Sequence, residues 1–256
     1  MNTDAVTISS WEKWDPKAYL TEYYSGDVVP DELLTIAFLV ETAKKFPLPK
    51  KILEFGCGPT IHHITPFIPY VDEVVMSDYL KSNLDELKKW LDNKEGSHNW
   101  DKHIFYILQC EGNKNPTKQD IEIRKLEIRK KITKTVVGDA SKSDPMGPDF
   151  RESYPAVISC YCADSAGDNH NTFQLFIRNI ASLVQPGGLF IFSSLRKAKH
   201  YKSGSNYFPS ADIDEDLLFK ILSLDFVSET INIEVKTLPS HEERYSGILL
   251  ATAIKR

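Results

Sequence analysis

Residues 53–60, with the sequence LEFGCGPT, join a short apolar run to a turn that contains two histidines. Gly56 and Gly58 let the backbone turn tightly and come close to a ligand. A dinucleotide-binding loop carries a further glycine at the start of the next helix, where a pyrophosphate approaches the helix N-terminus. Pro59 and Thr60 occupy that region here. The stretch therefore predicts a nucleoside-binding turn that holds no diphosphate.

Short β-rich segments alternate with helical segments around this turn. The β-rich segments are KKILEFG (50–56), DEVVMSD (72–78), TKTVVGD (133–139), YPAVISCY (154–161) and GGLFIFSS (187–194). Leucines recur at three- and four-residue steps in LKSNLDELKKWLDN (80–93), which indicates an amphipathic helix. A second helix is predicted over 117–132, where Thr117 and Asp120 form an acidic variant of the capping box. The alternation predicts an α/β fold with a mostly parallel sheet and helices on both faces.

The end of the chain breaks this alternation. SETINIEVKTLP (228–239) and YSGILLATAIKR (245–256) are β-rich and are separated only by SHEER, which predicts an antiparallel hairpin. No composition shift marks a second domain, so we expect residues 1–256 to form a single domain.

Composition and charge narrow the class of protein. The 31 basic and 36 acidic residues are interspersed and give a net charge of -5, which argues against a nucleic-acid partner. No apolar run approaches the ~20 residues of a membrane span, and the N-terminus lacks a signal-peptide pattern. We expect a cytoplasmic monomer with no membrane partner.

The cysteines indicate a reducing compartment, because four of them without a C-x-x-C pair are too few for a disulfide framework. A metal site is an alternative interpretation of Cys160 and Cys162 with His62 and His63. Residues separated by one position on a strand face opposite ways, and a second ligand pair is missing. We therefore expect no metal.

Two aspartates at strand ends suit an adenosine. Asp78 ends the second predicted strand, where a carboxylate accepts the hydroxyls of a ribose, and Asp139 ends the third, near the adenine amino group. S-adenosylmethionine contains an adenosine but no diphosphate, so it fits this pattern. The alternative interpretations are a nucleotide dehydrogenase and a plain turn that binds no ligand. Together with QPGG before the fifth strand and the final hairpin, the pattern predicts a methyltransferase.

The chain resembles the family of nicotinamide, phenylethanolamine and thioether or amine methyltransferases. The matching segments are DPKAYLTEYY, EFGCGPTIHH, MSDYLKSNLDELKKWL, EGNK, VVGDASKSDPMG and NIASLVQPGGLFIF, so the resemblance extends from about Asp15 onward. It implies a Rossmann-like class I fold, with a seven-stranded mostly parallel sheet and an antiparallel C-terminal hairpin. It also implies an aromatic N-terminal lid over about residues 11–30, and transfer of a methyl group to a small-molecule amine or heteroaromatic nitrogen, with S-adenosylhomocysteine as product.

The resemblance assigns residues to the cofactor. For the methionine portion they are Tyr19, Tyr24, Gly56, Cys57, Gly58 and Thr60, with Cys160 also in the cofactor site. For the adenosine they are Asp78, Tyr79, Asp139 and Ala140, while Asn83 would reach the ribose or the methionine portion. In particular, Tyr19 and Tyr24 would hold the methionine carboxylate.

We expect the acceptor to contact Tyr23, Tyr161, Ser194, Arg196 and Tyr201, and the resemblance assigns the role of catalytic residue to Asp164. A nucleophilic amine must be neutral, and a carboxylate nearby can position the substrate or accept a proton. The alternative is that Asp164 only caps the helix that follows it.

The substrate region departs from the family pattern. Ser194 stands where the nicotinamide enzymes carry an aspartate, His62 replaces an aromatic residue, and LRKAKHYK (195–202) is basic. These changes predict an acceptor with a negative or strongly polar group held by Arg196. The alternative is a solvated basic loop.

Two other classes of function stay open. A nucleic-acid methyltransferase would carry an Asn/Asp/Ser-Pro-Pro-aromatic loop after the fourth strand, where this chain has SCYCADS. A catalytically inactive adenosine-binding or scaffold protein could keep the fold, although competent residues occupy the expected cofactor positions.

Overall fold

The structure, a computed structural model, describes residues 8–47, 50–237 and 245–256. The strands within these ranges are β1 Lys51–Phe55, β2 Glu73–Asp78, β3 Ile132–Val137, β4 Tyr154–Cys160, β5 Val184–Arg196, β6 His200–Ser203, β7 Asn206–Pro209, β8 Asn232–Lys236 and β9 Gly247–Ile254. The helices are α1 Pro16–Tyr24, α2 Pro30–Lys45, α3 Lys81–Leu91, α4 Asp101–Glu111, α5 Lys118–Lys131, α6 Ala163–Ala166, α7 His170–Ala181 and α8 Glu215–Leu222.

The central sheet has seven strands in the order β3-β2-β1-β4-β5-β9-β8. Its first five strands in this order pair in parallel, whereas β9 is antiparallel to both β5 and β8. The predicted fold class and the C-terminal hairpin are therefore confirmed, and the SHEER segment of that hairpin lies outside the described residues. The strand order reverses between β1 and β4, and ligands of open α/β sheets bind beyond the carboxyl ends of strands at such a point.

The inner strands β1, β2 and β4 are buried on both faces, as their apolar sequences require, whereas the edge strands β3 and β8 are more exposed. Neighbouring residues of β1 point to opposite faces, so Ile52 joins one apolar cluster and Leu53 the other. No helix within the described residues is long and apolar enough to cross a membrane.

The two helices predicted from sequence form as expected. On α3, Leu84 and Leu87 are buried. At the start of α5, Thr117 Oγ1 accepts from the backbone of Asp120, and the Asp120 carboxylate accepts from the backbone of Thr117, which completes the capping box.

A second small sheet was not predicted. β6 and β7 form an antiparallel hairpin where the sequence indicated only a basic loop. Ser9 N donates to Tyr207 O at 2.7 Å, and the Trp11 ring stacks on Phe208 with centroids 4.9 Å apart. The N-terminal segment and this hairpin therefore form one cover over the end of the sheet.

Candidate functional site

A cavity of about 390 Å³ opens at the carboxyl ends of β1 to β4. Its floor is made by the turns that follow these strands. Its cover is aromatic and consists of Trp11, Trp14, Tyr19, Tyr23, Tyr24 and Tyr201. The cavity thus lies where the reversal of strand order places a ligand site.

The turn after β1 explains why two glycines stand in LEFGCGPT. Both have left-handed backbone angles, with φ of 75° at Gly56 and 59° at Gly58. A Cβ on Gly56 would lie 2.1 Å from Cys162 Sγ, so no side chain fits there. The amides of Gly56 and Cys57 donate to Ser77 O at 2.8 and 2.9 Å, which ties the turn to β2.

Asp78 is held at the end of β2 by three donors. Its Oδ2 accepts from Gly58 N at 2.8 Å, and its Oδ1 accepts from Leu80 N and Asn83 Nδ2, both at 2.9 Å. Burial raises the pKa of Asp78, while these hydrogen bonds act in the opposite direction. Trp14 Nε1 donates to Asn83 Oδ1 at 2.8 Å, so the cover is linked to this carboxylate. A fixed acceptor of this kind suits the hydroxyls of a ribose.

Three further residues assigned to the adenosine also line the cavity. Asp139 and Ala140 follow β3, and Asp139 Oδ1 accepts from Ser141 N at 2.9 Å. Tyr79 is 56% exposed, so its ring is free to cover a planar base. The structure therefore brings together the residues that the sequence assigned to an adenosine.

The tyrosines assigned to the methionine carboxylate meet in the cover. The hydroxyls of Tyr19 and Tyr24 lie 3.1 Å apart. Burial raises the pKa of Tyr19 to about 12 and that of Tyr24 well above its ordinary value, so both hydroxyls keep their protons. Gly56, Cys57, Gly58, Thr60 and Cys160 line the same cavity.

The assigned acceptor tyrosines line the cavity as well. Tyr161, at the end of β4, has a left-handed φ of 50°, which is uncommon for a bulky residue. Its hydroxyl lies 2.6 Å from Thr35 Oγ1 of α2. Tyr23 donates to Lys202 O, and Tyr201 lies on the same hairpin. This region is therefore assembled from α1, α2, β4 and β6.

Asp164 lies behind the cavity wall. The residue is fully buried and does not line the cavity, although Ser165 and Leu195 do. Oδ2 accepts from Leu195 N at 3.1 Å and from Ser165 Oγ at 3.4 Å, and no described residue donates a hydrogen bond to Oδ1. Burial raises the pKa of Asp164 to about 7. Its carboxyl group can therefore gain or lose a proton near neutral pH.

Two predicted acceptor residues do not reach the cavity. Ser194 is fully buried and lies outside the wall. The Arg196 guanidinium binds both carboxylate oxygens of Glu215 on α8, at 2.7 and 2.8 Å, and also Ser246 Oγ. The structure thus pairs Arg196 with an acid of a later helix instead of placing it in the cavity wall, and the expectation that Arg196 binds the acceptor stays a prediction.

Several wall residues were not predicted. Asp31 and Glu32, in the first turn of α2, line the cavity together with His63 and Trp14. The only signal in the sequence was two acids after Pro30, which is an ordinary pattern for a helix N-terminus. Only the folded structure shows that the first turn of α2 faces the carboxyl ends of the strands.

The described residues fit S-adenosylmethionine. The carboxylates of Asp78 and Asp139 suit the adenosine, and the protonated hydroxyls of Tyr19 and Tyr24 suit a carboxylate. The cavity volume lies within the usual range for small-molecule sites.

Known proteins share the sequence pattern and the fold of this chain. The sequence pattern of the NNMT/PNMT/TEMT family matches residues 4–256. Nicotinamide N-methyltransferase of Homo sapiens is 28% identical over 79% of this chain and 78% of its own. Indolethylamine N-methyltransferase of Mus musculus is 24% identical over 82% of this chain and 81% of its own. In fold, the chain is similar to the N-methyltransferase NodS from Bradyrhizobium japonicum WM9 in complex with S-adenosylhomocysteine, with a TM-score of 0.56, 13% identity, and coverage of 93% and 98% of the two chains.

Proposed function

Because the chain belongs to the NNMT/PNMT/TEMT family, it is an S-adenosylmethionine-dependent N-methyltransferase, and we propose that it methylates a small amine that is cationic when free in solution. One observation carries this proposal. The described residues of the cavity wall include the acids Asp31, Glu32, Asp78 and Asp139, and they include no lysine or arginine. An ammonium group is attracted to such a wall, whereas an anionic acceptor is repelled.

This proposal replaces the anionic acceptor expected from the sequence. That expectation depended on Arg196, which is paired with Glu215. Of the acids in the wall, Asp78 and Asp139 lie at the adenosine end. Asp31 lies at the other end, where its backbone carbonyl accepts from Thr35 Oγ1 and its carboxylate accepts from the Tyr245 hydroxyl at 3.2 Å. We therefore assign the binding of the acceptor ammonium to Asp31.

The cofactor supplies an electrophilic methyl group on a sulfonium. Asp78 and Asp139 hold the adenosine, and the turn from Gly56 to Thr60 with Tyr19 and Tyr24 holds the amino-acid portion. The aromatic cover excludes water and aligns the acceptor nitrogen, which is the main protein contribution to an in-line displacement.

An ammonium must lose a proton before its nitrogen can attack. Ser165 lines the cavity, and its hydroxyl donates to Asp164 Oδ2. The proton passes from the nitrogen to Ser165 Oγ, while the Ser165 hydroxyl proton passes to Asp164. With a pKa of about 7, the buried Asp164 can accept this proton near neutrality.

An activity screen tests the acceptor class. Aryl-ethylamines, nicotinamide, thioethers and carboxylated or phosphorylated heterocycles are assayed with wild type, Asp31→Asn and the matched control Asp27→Asn. Asp27 is exposed and pairs with Lys102 outside the cavity. We expect an aryl-ethylamine to be the best acceptor, with its KM raised about tenfold or more in Asp31→Asn and unchanged in the control, because a charge-assisted hydrogen bond is lost. A carboxylated or phosphorylated best acceptor, or an unchanged KM in Asp31→Asn, contradicts the proposal.

A further inference from the structure

A buried carboxylate on α2 lies between two histidines from other elements. Glu32 Oε1 is 3.3 Å from His62 Nε2, in the turn after β1, and 2.9 Å from His103 Nε2 on α4. All three side chains are at least nine-tenths buried. Among the described residues no group of histidines, cysteines and acids has a geometry that could hold a metal ion. Glu32, His62 and His103 therefore form one buried cluster of ionisable side chains.

His62 connects this cluster to the cavity. It forms part of the cavity wall, with Nε2 toward Glu32, and its Nδ1 has no hydrogen-bond partner among the described residues. Its ring centroid lies 4.9 Å from that of Tyr24, whose hydroxyl adjoins that of Tyr19. His62 thus has a ring nitrogen with no hydrogen-bond partner among the described residues, and it lies beside the two tyrosines assigned to the cofactor carboxylate.

A cationic side chain at this end of the cavity would strengthen the binding of the cofactor's amino-acid carboxylate. The amino-acid carboxylate of the cofactor enters a wall with acids and, among its described residues, no lysine or arginine. Histidine is the side chain that most readily becomes a cation near neutral pH. The titratable groups around His62 are Glu32 on α2, Tyr24 on α1, His63 beside it, His103 on α4 and His98 before α4.

Before the ligand binds, burial and the neighbouring histidines lower the pKa of His62, so its ring is neutral. A ligand carboxylate at one nitrogen, with Glu32 at the other, favours the charged ring, because opposite charges on both sides stabilise it.

We propose that Glu32, His62 and His103 form a proton-uptake site for cofactor binding, in which His62 takes one proton from solvent and binds the cofactor's amino-acid carboxylate as an imidazolium. Glu32 Oε1 faces Nε2 of the protonated ring, and His103 Nε2 lies beside the same oxygen. This inference rests on the proposed placement of the cofactor. Affinity for the cofactor then rises as pH falls toward the pKa of His62 in the complex.

Calorimetry with S-adenosylhomocysteine near neutral pH, repeated in buffers of different ionisation enthalpy, tests this proposal. The dependence of the binding enthalpy on the buffer gives the number of protons taken up, and we expect about one. 5′-Methylthioadenosine, which lacks the amino-acid portion, should bind with no proton uptake.

Substitutions test whether His62 is the group that takes up the proton when the cofactor binds. In His62→Gln we expect affinity for S-adenosylhomocysteine to fall about tenfold or more and proton uptake to vanish, because a charge-assisted hydrogen bond is lost. Binding of 5′-methylthioadenosine should be unchanged, which shows that the variant is folded. Glu32→Gln should also reduce the uptake and serves as the test if His62→Gln does not fold. The control His170→Gln, whose ring Nε2 contacts Asp212 O away from the cavity, should behave as wild type.

The proposal is overturned if wild type takes up no proton with S-adenosylhomocysteine, or if uptake persists in His62→Gln. Failure of both ligands to bind wild type would instead contradict the proposed function. A His62→Gln variant that changes only the KM of the acceptor would assign the histidine to the acceptor.

Discussion

The two ends of the cavity are built from residues at very different distances along the chain. At the adenosine end, Asp78 is held by Gly58 and Asn83, which are 20 and 5 residues away. At the acceptor end, the bond between Thr35 and Tyr161 joins residues 126 positions apart. The bonds that hold Asp78 therefore lie within residues 58–83, whereas the acceptor end joins segments that are far apart along the chain. Substitutions at the adenosine end and at the acceptor end should therefore differ in their effects on cofactor binding, turnover and stability.

The largest effect is expected for Asp164→Asn at the acceptor end. In the unfolded chain the Asp164 carboxyl group loses its proton near the ordinary pKa of 3.8. In the folded protein it keeps that proton up to about pH 7. Stability of wild type therefore falls as pH rises between these values. At alkaline pH the asparagine variant should be more stable by at most about 4 kcal/mol, at about 1.4 kcal/mol per pKa unit. Turnover should fall, since the proton acceptor is lost.

Urea unfolding of wild type and Asp164→Asn over a pH series measures this difference. Asp168→Asn, an exposed neighbour, is the matched control and should follow the wild-type curve. Identical pH dependence in wild type and Asp164→Asn would show that Asp164 keeps an ordinary pKa.

At the adenosine end, Asp78→Ala should weaken cofactor binding by about 1.5–3 kcal/mol, because it removes a charged acceptor from two ribose hydroxyls. Calorimetry with S-adenosylhomocysteine measures the change. The exposed Asp85→Ala, which removes only a surface ion pair with Lys81, should bind as wild type does. Unchanged affinity in Asp78→Ala would mean that the ribose is held elsewhere.

The smallest effect is expected for Arg196→Ala. The pair of Arg196 and Glu215 is partly exposed to solvent, so the loss of stability should stay below about 1 kcal/mol. The KM of the acceptor should be unchanged, because Arg196 does not line the cavity. Steady-state kinetics and urea unfolding test both statements, and a raised KM would restore the sequence-based assignment of Arg196.

The adenosine end was predictable because its signals are local. Two glycines, a strand-terminal Asp78 and a strand-terminal Asp139 occur at fixed spacings within consecutive strands, and the structure places all of them at one cavity. The acceptor end was predicted only in part. Tyr161 and Tyr201 line the cavity, whereas Ser194 and Arg196, which the sequence also assigned to the acceptor, do not.

The sequence by itself determined the alternation of the five parallel strands with helices, the capping of α5, the antiparallel C-terminal strands and the position of Asp78 and Asp139 at strand ends, since each follows from hydrophobic period, turn chemistry or short spacing. Tertiary structure alone decided that Arg196 meets Glu215, that Asp31 and Glu32 face the strand ends, and that the N-terminal segment joins β6 and β7. These features depend on contacts between distant residues. No local pattern encodes such contacts, because the partner of a charged side chain is fixed only when the elements pack.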